Sequence, residues 1–396
     1  MKRLLQNLRN MMLKHFGLHK NIEFDDSESR MGKRIAGLLM LALLLTSIGF
    51  STTRPDLKVS LSMMADGTEI KCWQDYLSSK EPEGFSGAVL VAKGDNILLR
   101  KEYGAAAKDG RITAFWIASI SKAVTATAVL KLVEDRLLDL NAPLSKYLPE
   151  APGTFAKVTI HHLLTHRSGL PHAYSADGVV DRVAATKAIL QQKLERKPGE
   201  FGYSNDGYNL LAILIETVSG ESFENYVRRQ IFKPAGMDNA GFWGFESVET
   251  PPALPFNLLR TMSAKATIWY KGRSIANWGY RGASGIYATP DDLFKFVRAL
   301  ESGRLLQKKT FADMISSKNP SLGPNAQTYG YGWALRFKDG RLTEYWHGGN
   351  EDWLGHNGML KVIGDRVYVI LTNSGDLKKE SWAGHIEAGL HACEKN

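Results

Sequence analysis

Short β-type runs lie towards both ends of the chain, and helix-period segments fill the middle. Residues 87–91 and 97–99 are short β-type runs split by Lys93-Gly94-Asp95-Asn96, and they read as a hairpin. Residues 342–346, 359–362 and 366–371 predict further strands, and 382–392 a closing helix. Between these sets, residues 137 to about 237 predict helices with short loops: a turn from Asn141 to Leu144, helices over 160–165 and 206–218, and another capped by Gly220-Glu221-Ser222. Thr289-Pro290-Asp291-Asp292 opens a helix, with Thr as cap, Pro at the first helical position and acid in the first turn. Residues 244–277, rich in Pro, Gly and aromatics, predict loops that rim a site.

One helix stands apart. Ile117-Ala118-Ser119-Ile120-Ser121-Lys122 opens it, and the following Ala123 to Leu130 is apolar or small all the way round, as in a helix buried at a domain centre. It predicts Ser119 and Lys122 on one face, Cβ atoms about 5–6 Å apart. Orphan N–H groups and the positive dipole end would favour negative charge developing at Ser119. A buried Lys is costly without partners or a job, so the pair predicts nucleophile and base. Two more groups offer partners. In Phe201-Gly202-Tyr203-Ser204-Asn205, a nearby ammonium would loosen the Tyr203 proton, and Asn205 offers both a donor and an acceptor. Trp346-His347-Gly348-Gly349-Asn350 ends a predicted strand, where glycines admit a ligand to the backbone and an N–H could face that of Ser119 as an oxyanion hole.

The 396 residues are 44% hydrophobic and 23% charged, enough for a large core. The net charge of +9 is partly N-terminal: residues 1–34 hold eight Lys/Arg against four Asp/Glu, so 42 bases face 37 acids in the remainder. The remaining basic residues form no stripe, which argues against a nucleic-acid partner. Residues 35–53 carry no charge and follow Lys33-Arg34, as an export signal or membrane anchor does, with Ser47-Ile48-Gly49 a cleavage candidate. Residues 1–30 then read as an upstream extension and 31–53 as signal peptide or anchor, placing the remainder in the periplasm or facing outward from the membrane. Only Cys72 and Cys393 are present, either one bridge joining the ends of an exported domain or two separate thiols.

Ser-x-x-Lys at 119–122, Tyr203-x-Asn205 and His347-Gly348-Gly349, in this order, resemble the serine β-lactamase and penicillin-binding-protein superfamily. Within it the likeness is to class C β-lactamases, D-alanyl-D-alanine carboxypeptidases, family-VIII esterases and LACTB-like proteins. The phrases Ser86-Gly87-Ala88-Val89, Pro143-Leu144-Ser145-Lys146-Tyr147-Leu148-Pro149, residues 160–170 and Ala283-Ser284-Gly285-Ile286-Tyr287-Ala288-Thr289 add to it. The likeness spans roughly residues 75–392. It implies an α/β (α+β) fold: a mixed, mainly antiparallel sheet from both chain ends, flanked by helices, with a mostly helical insertion at about 137–280. It further implies an acyl-enzyme on Ser119, proton transfers shared by Lys122 and Tyr203, and an oxyanion held by the N–H groups of Ser119 and Asn350. Asn205, His347, Gly348 and Gly349 would bind a small-molecule or peptide substrate, with no metal or cofactor.

The chain departs from this pattern where Lys-Thr-Gly is usual. A neutral His347 gives up the fixed charge for a β-lactam or D-Ala carboxylate. Acidic Glu351 and Asp352 follow, and unless both turn to solvent they would repel a carboxylate and favour an amine. Peptidase or esterase activity is therefore expected over β-lactamase or D-Ala-D-Ala carboxypeptidase activity, with a slowly turning-over penicillin-binding sensor as the non-catalytic alternative. No Gly-x-Ser-x-Gly elbow occurs. A metal hydrolase built on His161, His162 and His166 lacks the usual carboxylate and a third identified ligand.

Overall fold

The computed structural model describes residues 56–107, 113–242, 277–318, 326–351, 355–374 and 381–394, with side chains from residue 67 onward. The expected export segment, the loop region 244–276 and Asp352 lie outside these residues. The chain divides into units Met1–Met64 and Ala65–Asn396, and everything below concerns the second. Helix α1 runs over Asp56–Lys80.

Strands β1 (Gly87–Lys93) and β2 (Asn96–Tyr103) form the expected hairpin. Late in the chain come β6 (Gln327–Tyr329), β7 (Ala334–Lys338), β8 (Arg341–Glu351), β9 (His356–Ile363) and β10 (Arg366–Thr372). They join in the order β2-β1-β10-β9-β8-β7-β6, each pairing antiparallel, so the two chain ends meet where β1 lies beside β10. β1 is apolar and buried from Gly87 to Ala92 because both its faces are covered. Ala88, Leu90 and Ala92 enter a core shared with the helical half of the molecule, while Val89 and Val91 pack with Trp73, Leu77, Trp382, Ile386 and Leu390. Trp73 and Leu77 belong to α1, and the last three to a C-terminal helix, Trp382–Cys393. Cys72 and Cys393 are joined by a disulfide, Cα atoms 5.8 Å apart, which ties the two helices together on that face.

On the other face lies α2, Ser121–Glu134, buried without interruption from Ser121 to Leu130. The helical segment carries α3 (Ile160–Leu164), α4 (Arg182–Leu190) and α5 (Asn205–Ser219), the last packed directly on α2. Ser204 caps α5, accepting from the Gly207 N–H, and Gly220 ends it in the left-handed conformation. A small sheet of β3 (Phe115–Trp116), β5 (Ile286–Ala288) and β4 (Gly241–Phe242), in that order, anchors the entry to α2, and Thr289 caps helix Pro290–Glu301 through a capping box with Asp292.

Candidate active site

Ser119 is not in the α-helix itself. It sits in a 3-10 turn, Ala118–Ile120, two residues before the start of α2, and Ala118 takes φ +47°. A positive φ at a residue with a Cβ is uncommon and turns the chain sharply. Ser119 is thereby left partly exposed between buried Ala118 and Ile120. Ser121, the other hydroxyl of the motif, is buried and accepts the Ile286 N–H, a structural bond.

Lys122 is completely buried, its Nζ 3.0 Å from Ser119 Oγ, 2.8 Å from Asn205 Oδ1 and 2.9 Å from the Ala283 carbonyl. Two of these partners can only accept. A neutral amine has two hydrogens and a lone pair, so with its hydrogens given to Asn205 and Ala283 the lone pair faces the Ser119 hydroxyl. Burial pushes the Lys122 pKa down to about 7, with the Glu351 charge opposing. The Ala283 carbonyl is held in place by Asn209, whose Oδ1 accepts from the N–H groups of Gly282 and Ala283 and whose Nδ2 donates to Gly279. Thr125 on α2 donates to the Gly282 carbonyl.

The Tyr203 phenol interacts with the Ser119 side chain, and its ring lies 4.9 Å from Lys122 Nζ. The expected loosening of its proton does not occur. Burial dominates and raises its pKa above the ordinary phenol value, with the Ser119 contact and the Glu351 charge as smaller influences, so Tyr203 is a proton donor at neutral pH. Its ring stacks on His166, centroids 4.1 Å apart. His166 is buried, takes φ +55° and accepts the Ser204 N–H at Nδ1, fixing the start of α5 beside Tyr203. His166 went unrecognised as a support, although it belongs to the 160–170 phrase. His161 bonds the Tyr331 hydroxyl and His162 accepts the Thr159 N–H, so the three imidazoles serve different contacts.

His347 does not end a strand: β8 continues through it to Glu351. Tyr345, His347, Gly349 and Glu351 alternate onto the buried face. His347 Nδ1 lies 2.7 Å from the Gly348 carbonyl, which only accepts, so Nε2 takes the Tyr329 hydroxyl at 2.9 Å. Burial, with the Lys122 charge, lowers the His347 pKa to about 3 and leaves it neutral. Gly349 makes room for the Ser119 turn. A Cβ there would come 2.2 Å from the Ile117 carbonyl, so its small size lets β8 press against the Ser119 turn. Asn350 comes next, its side-chain oxygen accepting from Asn357. Glu351 is buried rather than solvated and accepts from the Tyr174 hydroxyl at 2.9 Å.

A family model described as Beta-lactamase matches residues 80–387. PbpX of Bacillus subtilis (strain 168) is 33% identical over 254 residues, covering 63% of this chain, which thus spans only 62% of that relative's length. The penicillin-binding protein structure from Bacillus halodurans covers 79% of this chain and 97% of its own at TM-score 0.64 and 28% identity. D-amino acid amidase from Ochrobactrum anthropi SV3 covers 82% and 99% at TM-score 0.65 and 22% identity, a likeness of fold.

Proposed function

The chain belongs to the beta-lactamase family, whose fold is the β-lactamase/transpeptidase-like one of serine hydrolases, and we propose that it hydrolyses an amide or ester through an acyl-enzyme on Ser119. The observation that carries this reading is the Lys122 amine, 3.0 Å from Ser119 Oγ, with its other two hydrogen-bonding directions taken by Asn205 and Ala283. Lys122 takes the Ser119 proton as Oγ bonds the substrate carbonyl carbon. The oxyanion rests on the N–H groups of Ser119 and Asn350. As it collapses, the carbon–nitrogen or carbon–oxygen bond breaks, and the leaving group takes a proton from Tyr203, which the Lys122 ammonium resupplies. Water then attacks the ester carbonyl, giving one proton to Lys122, and the Ser119 oxygen leaves with a proton. Asn205 and the His347-Gly348-Gly349 strand line the substrate. A neutral His347 supports peptidase or esterase chemistry over efficient β-lactam hydrolysis.

Intact-mass measurement after treatment with a fluorophosphonate tests the central step. Wild type gains one adduct and Ser119→Ala none; equal labelling of the variant would overturn the reading. We also place the hydrolase domain outside the cytoplasm, supported by the uncharged run at 35–53 and the Cys72–Cys393 disulfide. Protease accessibility in intact cells tests that placement.

A further inference from the structure

Lys122 needs two acceptors for its hydrogens if its lone pair is to meet Ser119, and one helix governs both. Asn205 and Asn209 stand four apart on α5 and share a face. Asn205 Oδ1 accepts from Lys122 directly at 2.8 Å. The second acceptor, the Ala283 carbonyl, belongs to the backbone and points only where its turn holds it. Asn209 holds that turn. It is completely buried, and all three of its side-chain hydrogen bonds go there. Its Nδ2 donates to the Gly279 carbonyl at 2.6 Å, and its Oδ1 accepts the N–H groups of Gly282 and Ala283, each at 3.2 Å. With one donor and two accepted N–H groups, the amide has a single orientation.

The peptide planes on either side of Ala283 are thereby fixed at both poles. In the Gly282–Ala283 peptide, Asn209 holds the N–H and the carbonyl accepts from Thr125 Oγ1 at 2.7 Å. In the Ala283–Ser284 peptide, the N–H donates to the Tyr280 carbonyl at 2.8 Å, which leaves the Ala283 carbonyl aimed at Lys122 Nζ, 2.9 Å away. Gly282 lets the turn lie against α5, since a Cβ there would come 2.1 Å from the Tyr208 carbonyl. Thr125 stands on α2, three residues after Lys122, so the turn is gripped between the helix that carries the base and the helix that carries its acceptors.

We propose that Asn209 is a positioning residue of the hydrolase: by gripping the 279–284 turn it aims the Ala283 carbonyl at one Lys122 hydrogen and so turns the amine lone pair onto the Ser119 hydroxyl. Thr125 acts in the same sense with one bond in place of three. This deepens the acyl-enzyme reading and rests on it, with Lys122 as the base. A loosened carbonyl would let the amine rotate about its carbon–nitrogen bond, taking the lone pair off the hydroxyl. It would also withdraw a dipole that favours the ammonium over the amine. Among the described residues, the titrating and charged groups around Lys122 are Tyr203 and Tyr208, their rings 4.9 and 5.7 Å from Nζ, the imidazoles of His166, His172 and His347, and Glu351. None of them is a hydrogen-bond partner of Asn209 or Thr125, so substitution at either leaves the charges that Lys122 meets unchanged.

The test measures the second-order rate of fluorophosphonate labelling at Ser119 across the neutral pH range, with urea unfolding of each variant so that rates refer to folded protein. Asn209→Leu loses all three bonds, and the isosteric Thr125→Val loses one. Thr127→Val is the control, because Thr127 is equally buried on α2 but bonds the Ala123 carbonyl of its own helix. Asn209→Leu should slow labelling about 10- to 100-fold and move the midpoint of the rising limb to lower pH by about half a unit. Thr125→Val should do the same to a smaller extent, about three- to tenfold in rate. Thr127→Val, whatever stability it loses, should stay within about twofold of wild type with its midpoint unmoved. The midpoint is the readout that a merely structural anchor would leave in place. If folded Asn209→Leu labels within about twofold of wild type, keeps or raises the midpoint, or is matched in both readings by Thr127→Val, the positioning role is overturned and the nucleophile stands. Should Asn209→Leu fail to fold, Thr125→Val decides by the same readings. If wild type does not label at Ser119, or labels with no rising limb, the acyl-enzyme reading with Lys122 as base falls instead.

Discussion

Two buried lysines occupy opposite faces of one sheet, and their neighbours give them opposite work. Lys122, on the helical side, touches a hydroxyl, a side-chain amide oxygen and a backbone carbonyl, none of them charged. Lys361, on β9, faces Glu344 at 2.9 Å and Glu387 at 2.6 Å, and Glu387 belongs to the C-terminal helix. Two carboxylates fix Lys361 as an ammonium cross-link between sheet and helix. Three uncharged partners let Lys122 exist as an amine, the form that can take a proton. Burial alone does not make a lysine reactive; burial without a contacting carboxylate does.

Replacing each lysine by methionine breaks or sharpens this contrast. Lys122→Met removes the base from the Ser119 oxygen and should lower kcat/KM by about 10²- to 10⁴-fold. With the pKa near 7, wild-type kcat/KM should rise with pH through neutrality as the ammonium gives way to the amine, and the residual rate of Lys122→Met should lose that limb. A wild-type profile flat between pH 5.5 and 8.5 would show that Lys122 is not the base.

Lys361→Met should do the reverse. It leaves Glu344 and Glu387 facing each other in a largely buried place and should cost about 3 kcal/mol of stability, seen in the urea midpoint, while kcat/KM of the folded fraction stays within about twofold. A loss of activity without a loss of stability would erase the distinction between the two faces.

The sequence showed one side of this contrast better than the other. The apolar or small run from Ala123 to Leu130 declared α2 a central, buried helix, and Ser119 with Lys122 was legible because spacing on one turn is a local property. Partners that arrive from far along the chain were not. The Ala283 carbonyl reaches Lys122 across 161 positions, and Tyr174 holds Glu351 across 177, so neither contact leaves a periodic trace. Gly348-Gly349 read as the end of a strand because glycine usually marks turns, whereas Gly349 is there to let β8 touch the Ile117 carbonyl. The phenol of Tyr203 was misjudged for a related reason. Proximity to Lys122 can be guessed from the motif, but the burial that outweighs it comes from His166 and the tertiary fold.

The smallest expected effect lies beside Lys361, at His391, and its sign follows from the same neighbours. His391 is flanked by Glu387 at 3.5 Å and Glu394 at 3.0 Å, the latter a hydrogen bond, and these two carboxylates, Glu387 foremost, raise its pKa to about 9, burial opposing. The folded state thus binds the proton more tightly than the unfolded chain, whose imidazole titrates near 6.5. Its contribution is fully present below pH 6.5 and is lost as pH rises towards 9. The ring is partly exposed, so solvent screening reduces the gain to about 1 kcal/mol. His391→Gln keeps a hydrogen-bond donor without the titrating charge. Urea unfolding at pH 6 and pH 9 should show wild type losing about that much relative to the variant. Equal losses would mean that the carboxylates on this face are satisfied by Lys361 and Arg366 alone, and that its charge balance, unlike that around Lys122, does not depend on a proton.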